Sequence, residues 1–164
     1  MDILDESLLR FWKSLNDSSV LYIMVGGFAV NMHGYPRTTN DIDIWLKDEK
    51  INRQNFGKVM KEYGYEEVSW EDKQFVPGWS DYFIGPGLRL DIMTSMKGLE
   101  DTDFDEALNL ARVALIEDIP VPFLQINQLI ANKKAVNRPK DQIDVIELEK
   151  IKKLMKDMGK DDIS

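Results

Sequence analysis

Apolar positions in the first half of the chain change period several times, and each change marks an element. Residues 5–16, DESLLRFWKSLN, set Leu8, Leu9, Phe11, Trp12 and Leu15 at helical spacing behind Asp5 or Ser7 as a cap. Val20 to Val25 is a continuous apolar run, partly β-branched, and reads as a buried strand ended by Gly26-Gly27. Phe28, Ala29, Val30 and Met32 then predict one short helix closed by Gly34. In Asp41-Ile42-Asp43-Ile44 the period becomes two, so the isoleucines face a core and the two carboxylates project from the other face, roughly 6–7 Å apart.

The pattern continues with an amphipathic helix over Asp48 to Tyr63, ended by Gly64, and a strand near Tyr65 to Trp70. A Pro77-Gly78 turn leads to a strand at Tyr82 to Ile84, and Gly85-Pro86-Gly87 leads into Leu88 to Met93, where Leu88, Leu90 and Ile92 alternate with Asp91. A hairpin around that turn brings Asp91 into a sheet beside Asp41 and Asp43. Asp101 to Leu110 reads as a short helix, and Val113 to Ile116 and Val121 to Leu124 as short extended pieces. Gln125 to Val136 and Pro139 to Met158 read as two helices, the second opened by proline in its first turn. The expected class is α+β: a small mixed sheet flanked by helices, with a helical C-terminus. Residues 1–123 form the expected core, and 124–164 a helical segment of the same compact unit.

This order of elements places two kinds of chemistry side by side. A helix that starts on glycines presents unpaired N–H groups and the positive end of its dipole, a favourable place for phosphate. Paired carboxylates repel unless a cation lies between them, and hard oxygen ligands suit Mg²⁺, which completes its shell with water and substrate phosphates. Asp91 supplies a third acid, with Asp81 as a competitor for that place.

The spacing of Gly26, Gly27, Ala29, Gly34, Arg37, Thr39, Asp41 and Asp43, followed by the later strand aspartate Asp91, resembles the nucleotidyltransferase superfamily, whose core is shared with β-type DNA polymerases. The chain looks most like short bacterial members related to abortive-infection and toxin–antitoxin nucleotidyltransferases. Many members carry Gly-Ser where this chain has Gly26-Gly27, so a hydroxyl contact to phosphate is replaced by backbone N–H groups. Asn127 to Lys134 and Arg138-Pro139-Lys140-Asp141-Gln142-Ile143-Asp144 are similar to the closing segment of these proteins. The resemblance implies transfer of a nucleoside monophosphate from an NTP to a hydroxyl acceptor, with Asp41, Asp43 and Asp91 holding Mg²⁺ and Asp91 accepting the acceptor proton. Phosphate contacts would come from Gly26, Gly27, Arg37, Lys134 and Arg138. The acceptor classes of the superfamily are small molecules, RNA ends and protein side chains.

Other roles for the same residues stay open at this level. Arg37 either binds phosphate or caps the loop beside Asp41. Lys134 and Arg138 either reach a triphosphate or pair with acids of the last helix, starting at Asp141 and Asp144. His33, the sole histidine, suits packing or capping better than catalysis, and Phe75, Trp79, Tyr82 and Phe83 suit core filling, with base stacking by one of them the alternative. The whole chain also fits a non-catalytic nucleotide-binding module, or half of a toxin–antitoxin pair with a partner protein.

Composition narrows the partners. The net charge of −8 disfavours a broad nucleic-acid surface, since such surfaces neutralise phosphates with Lys and Arg. One basic island, residues 131–140, carries Lys133, Lys134, Arg138 and Lys140 with no acid. The absence of cysteine removes disulfides and thiolate metal sites, an acidic N-terminus is unlike a secretory signal, and no apolar run approaches the roughly 20 residues that span a bilayer. A cytoplasmic location is the expectation.

Overall fold

A computed structural model describes residues 2–66, 69–76 and 82–159. Helix α1 (Glu6–Asp17) begins where Asp5 accepts hydrogen bonds from the N–H groups of Ser7 and Leu8, and it buries Leu8, Phe11, Trp12 and Leu15. Strand β1 (Tyr22–Val25) is buried throughout and runs directly into α2 (Gly26–Met32). Gly34, at φ +116°, turns the chain away just past the α2 cap, His33. Strand β2 (Asp41–Leu46) returns antiparallel to β1, and its Ile42 and Ile44 are fully buried, as period-two patterning requires.

Helix α3 (Lys50–Lys61) follows, with Gly64 at φ +90° beyond its end. Asn52 of this helix is buried and braces the entry of β1 to the exit of β2. Its Oδ1 accepts from Leu21 N–H at 2.7 Å, and its Nδ2 donates to Leu21 C=O at 2.9 Å and Lys47 C=O at 2.8 Å. Residues 67 and 68, the middle of the strand expected near Tyr65 to Trp70, lie outside the described residues; at its end Trp70–Asp72 forms a single 3₁₀ turn. The Trp70 indole lies against the bare Cα of Gly57, where an added Cβ would stand 2.5 Å from Trp70 Cδ1, and its Nε1 donates to Tyr65 C=O. Docking of that ring on α3, rather than alternation, sets the local backbone. The Pro77-Gly78 turn, Trp79 and Asp81 lie outside the described residues.

Strands β3 (Tyr82–Phe83) and β4 (Arg89–Met93) form the expected hairpin across Gly85 to Gly87. Strand β4 then lies parallel to β2, pairing Asp41 with Arg89 and Asp43 with Asp91. Helix α4 (Phe104–Leu110), capped by Asp103, leads to β5 (Arg112–Ile116) and β6 (Ile119–Phe123), an antiparallel hairpin whose β6 is parallel to β1 at Met24 and Phe123. Helices α5 (Ile126–Val136) and α6 (Pro139–Asp157) close the fold. The mixed sheet has the order β3-β4-β2-β1-β6-β5, which puts the acids of β2 and β4 near its middle. No helix among the described residues is long and apolar enough to cross a membrane.

Candidate active site

Asp43 and Asp91 are direct neighbours across the parallel β2–β4 pair, while Asp41 sits two residues earlier, exposed at the start of β2 and opposite Arg89. The three acids share a face but do not form a closed cluster. Among the described residues no three acidic, imidazole or thiol side chains stand together as a ready-made metal cage. The adjacent pair nevertheless fits a hard divalent cation, which usually takes only one or two protein carboxylates. Asp91 Oδ1 is buried with no hydrogen-bond partner, an acceptor with an unmet need. Burial, together with the carboxylates of Asp91 and Asp41, pushes Asp43 up to about 7, against the opposing pull of Lys133 and Lys140.

Gly26 makes this crowding sterically feasible. Its φ is +67°, and a Cβ there would overlap the Asp43 carboxylate, at 2.0 Å from Oδ2. Gly27 has a similar constraint, since a Cβ would stand 2.6 Å from Thr39 Oγ1. The turn from β1 into α2 thus lies directly against the acids, with Thr39 donating to the backbone C=O of Asp41.

A cleft of about 570 Å³ opens over this face. The sheet side contributes Gly26, Asp41, Asp43 and Asp91, and the helical side contributes Lys133, Arg138, Lys140 and Asp141. Met93, Met96 and Val136 add apolar lining. A smaller opening of about 240 Å³ shares Asp41, Asp43, Lys133, Arg138 and Lys140 with the cleft and adds Gly27, Arg37 and Thr39. Acids that need a cation and cations that need an anion therefore border one space.

Lys133, Arg37 and Arg138 are held by two buried acids of α6. Lys133 Nζ lies 3.3 Å from Asp141 Oδ1 and 3.1 Å from Asp144 Oδ2, with all three side chains almost fully buried. Arg37 Nε is 2.8 Å from Asp144 Oδ1, and its second guanidinium nitrogen donates to Asp144 Oδ2 at 3.0 Å. Arg138 donates to Asp141 from its backbone N–H and its guanidinium. Burial works to raise the Asp141 pKa, but these Arg138 hydrogen bonds and the Lys133 charge outweigh it and hold the carboxyl down to about 2. The expected Arg138–Asp141 pairing thus coexists with a place in the cleft, and Arg37 is fixed by Asp144 while still bordering the smaller opening.

Lys134 takes the second of its two expected roles, pairing with an acid of the last helix rather than lining the cleft. Its side chain is 61% exposed, points away from the cleft and pairs with Glu149 at 3.5 Å. On α5 the lysine that lines the cleft is Lys133. Positions 126, 129, 130 and 133 make the buried stripe of α5, so helical spacing from Ile126, Leu129 and Ile130 selects Lys133 and turns Lys134 outward. Lys140 also lines the cleft, at the first turn of α6. His33 lies elsewhere: Nε2–H donates to Leu124 C=O at 2.7 Å and the ring packs edge-on against Phe123. Burial lowers its pKa despite the Leu124 bond, with Arg112 adding to the effect. Phe75 packs with Phe56 and Trp70, and Tyr82 with Tyr65 and Trp70, as core filling requires, whereas Phe83 is exposed.

No protein-family model matches the sequence, and neither does any curated protein. Solved structures do match. A lincosamide antibiotic adenylyltransferase, LnuA, bound to lincomycin, is 16% identical, with a TM-score of 0.58 over 90% of this chain and 97% of the other. The antibiotic-resistance factor ANT(2'')-Ia is 18% identical, with a TM-score of 0.54 over 93% of this chain and 89% of the other. An antigenic nucleotidyltransferase-like protein from Paracoccidioides brasiliensis is 19% identical, with a TM-score of 0.55 over 90% and 73%. At these identities the shared property is the fold, and the chain has the nucleotidyltransferase fold.

Proposed function

We propose that this protein transfers a nucleoside monophosphate from an NTP to a hydroxyl acceptor and releases pyrophosphate. The observation that carries the reading is the adjacent Asp43–Asp91 pair beside the Gly26 turn, facing Lys133, Arg138 and Lys140 across one cleft. Two structural neighbours add support, one an adenylyltransferase bound to lincomycin and the other seen with adenylyl-2''-tobramycin.

In this reading the acceptor oxygen bonds to the α-phosphorus while the bond from that phosphorus to the β-bridging oxygen breaks. The electron pair leaves with pyrophosphate. Asp43 and Asp91, with Asp41 near, would hold Mg²⁺, which when bound neutralises phosphate charge and the like charges of the acids. Lys133, Arg138 and Lys140, helped by the N–H groups of Gly26 and Gly27, neutralise the β and γ phosphates and orient the chain of phosphates for attack. Arg37, fixed by Asp144, shapes the loop around that cradle. The Asp91 carboxylate takes the acceptor hydroxyl proton. Asp144 and Asp141 orient cations and touch neither substrate.

The test is pyrophosphate release from each NTP with Mg²⁺, using tobramycin, lincomycin, a short RNA and a protein extract as acceptors, with Asp43→Asn as control. Release that depends on one acceptor and on Asp43 supports transfer. Tight NTP binding with no release to any acceptor would instead place the chain among non-catalytic nucleotide-binding modules, the role a toxin–antitoxin partner would need.

A further inference from the structure

The sheet has an edge that the cleft does not use. Strand β5 is outermost on the side away from β3 and β4, and among the described residues it pairs only with β6. In that hairpin Val113 stands opposite Pro122, and Leu115 opposite Pro120. Proline has no N–H to donate. Antiparallel partners alternate between pairs that exchange both hydrogen bonds and pairs that exchange none. The bonded pairs must therefore be Arg112 with Phe123, Ala114 with Val121 and Ile116 with Ile119. It follows that the N–H and C=O groups of Val113 and Leu115 point outward from the free edge.

Their side chains are correspondingly bare. Val113 is 61% exposed and Leu115 72%, both on one face of the strand, with Leu110 exposed just before it. Edges of this kind are ordinarily blunted by proline, lysine or a bulge. Between Arg112 and Ile116 there is neither proline nor lysine, and the left-handed residues Glu117 and Asp118 belong to the turn that follows.

We propose that β5 pairs with β5 of a second copy of this chain, antiparallel about a two-fold axis at Ala114, joining the two sheets into one. In that register Val113 and Leu115 of each copy exchange both backbone bonds with Leu115 and Val113 of the other, and every outward group is satisfied. The exposed side chains meet as two Val–Leu cross-strand pairs, a combination suited to sheet surfaces. Charge selects the same orientation: the strand begins with Arg112 and ends at Glu117-Asp118, so a two-fold places each cation beside the other copy's acids. A parallel arrangement would set like charge on like. One strand edge buries less than the roughly 1,200–2,000 Å² of stable complexes, so the pair is weak and forms as concentration rises.

Sedimentation velocity on the full chain tests this, from about 1 μM to about 1 mM, for the wild type, Leu115→Lys and Val113→Pro. Leu115→Lys puts an ammonium against Val113 twice and leaves the monomer's core untouched. Val113→Pro removes an outward donor while the bonds to β6, made by its neighbours, persist. The wild type is expected to rise from one chain to two, and both variants to stay at one with unchanged circular dichroism. The amide hydrogens of Val113 and Leu115 are expected to exchange more slowly as wild-type concentration rises. A wild type that stays at one chain throughout overturns the proposal, as does a dimer that Leu115→Lys leaves intact. Should Val113→Pro fail to fold, Leu115→Lys and the amide exchange decide.

Discussion

Replacing Asp43 with asparagine should stabilise the metal-free protein, and should do so more at pH 8 than at pH 5. In the folded chain, burial and the Asp91 and Asp41 carboxylates push Asp43 from 3.8 up to about 7. An acid whose folded pKa is raised keeps its proton in the native state after the unfolded chain has lost it. Stability therefore falls as pH rises from about 4 to about 7, and the penalty is constant above that window. At about 1.4 kcal/mol per pKa unit, the penalty is about 2 kcal/mol at pH 5 and about 4 kcal/mol at pH 8. Asparagine has nearly the same size and no charge, so its advantage should grow by about 2–3 kcal/mol between the two pH values. Urea denaturation with a chelator present, on wild type and Asp43→Asn at pH 5 and pH 8, reads this difference. An advantage that is equal at both pH values, or reversed, would refute the argument that crowded acids oppose the fold. The same variant should lose nucleotidyl transfer.

Other substitutions separate the parts of the account. Gly26→Ala should lower stability by about 1–3 kcal/mol, because a left-handed backbone and the overlap with the Asp43 carboxylate act together; thermal melting and Mg·ATP titration should show loss of both stability and binding. Lys133→Gln should weaken Mg·ATP binding about tenfold or more, whereas Lys134→Gln should change it less than about twofold, as read by calorimetry. Asn52→Ala should destabilise by about 2–3 kcal/mol without altering NTP affinity in the folded fraction, since it strips partners from Leu21 and Lys47 far from the acids.

The site acids are legible in the sequence because their neighbours impose a single arrangement. Ile42 and Ile44 must be buried, so Asp41 and Asp43 must share the opposite face, and the Gly85 to Gly87 turn makes a hairpin that delivers Asp91. Gly26 and Gly27 are legible for a related reason, since only glycine admits the Asp43 carboxylate and Thr39 so close to the backbone. The cations are less so. The basic island at 131–140 shows that positive charge is available, but which lysine turns inward depends on the phase of α5, and that phase follows from Ile126, Leu129 and Ile130. Long-range pairing is harder again. The parallel contact of β6 with β1 rests on one register pair, Met24 with Phe123, and nothing local in either strand specifies it. The 3₁₀ turn at Trp70 follows from a ring docking on Gly57, a contact between distant positions that alternation cannot reveal.

The central claim is that the acids of β2 and β4 and the cations of α5 and α6 form one metal-dependent triphosphate site. Calorimetric titration of each NTP, with and without Mg²⁺, into wild type and Asp41→Asn/Asp43→Asn tests it most directly. The account predicts binding that requires the metal in the wild type and is lost in the double variant, with both proteins folded. Equal binding to both, or wild-type binding indifferent to Mg²⁺, would contradict it.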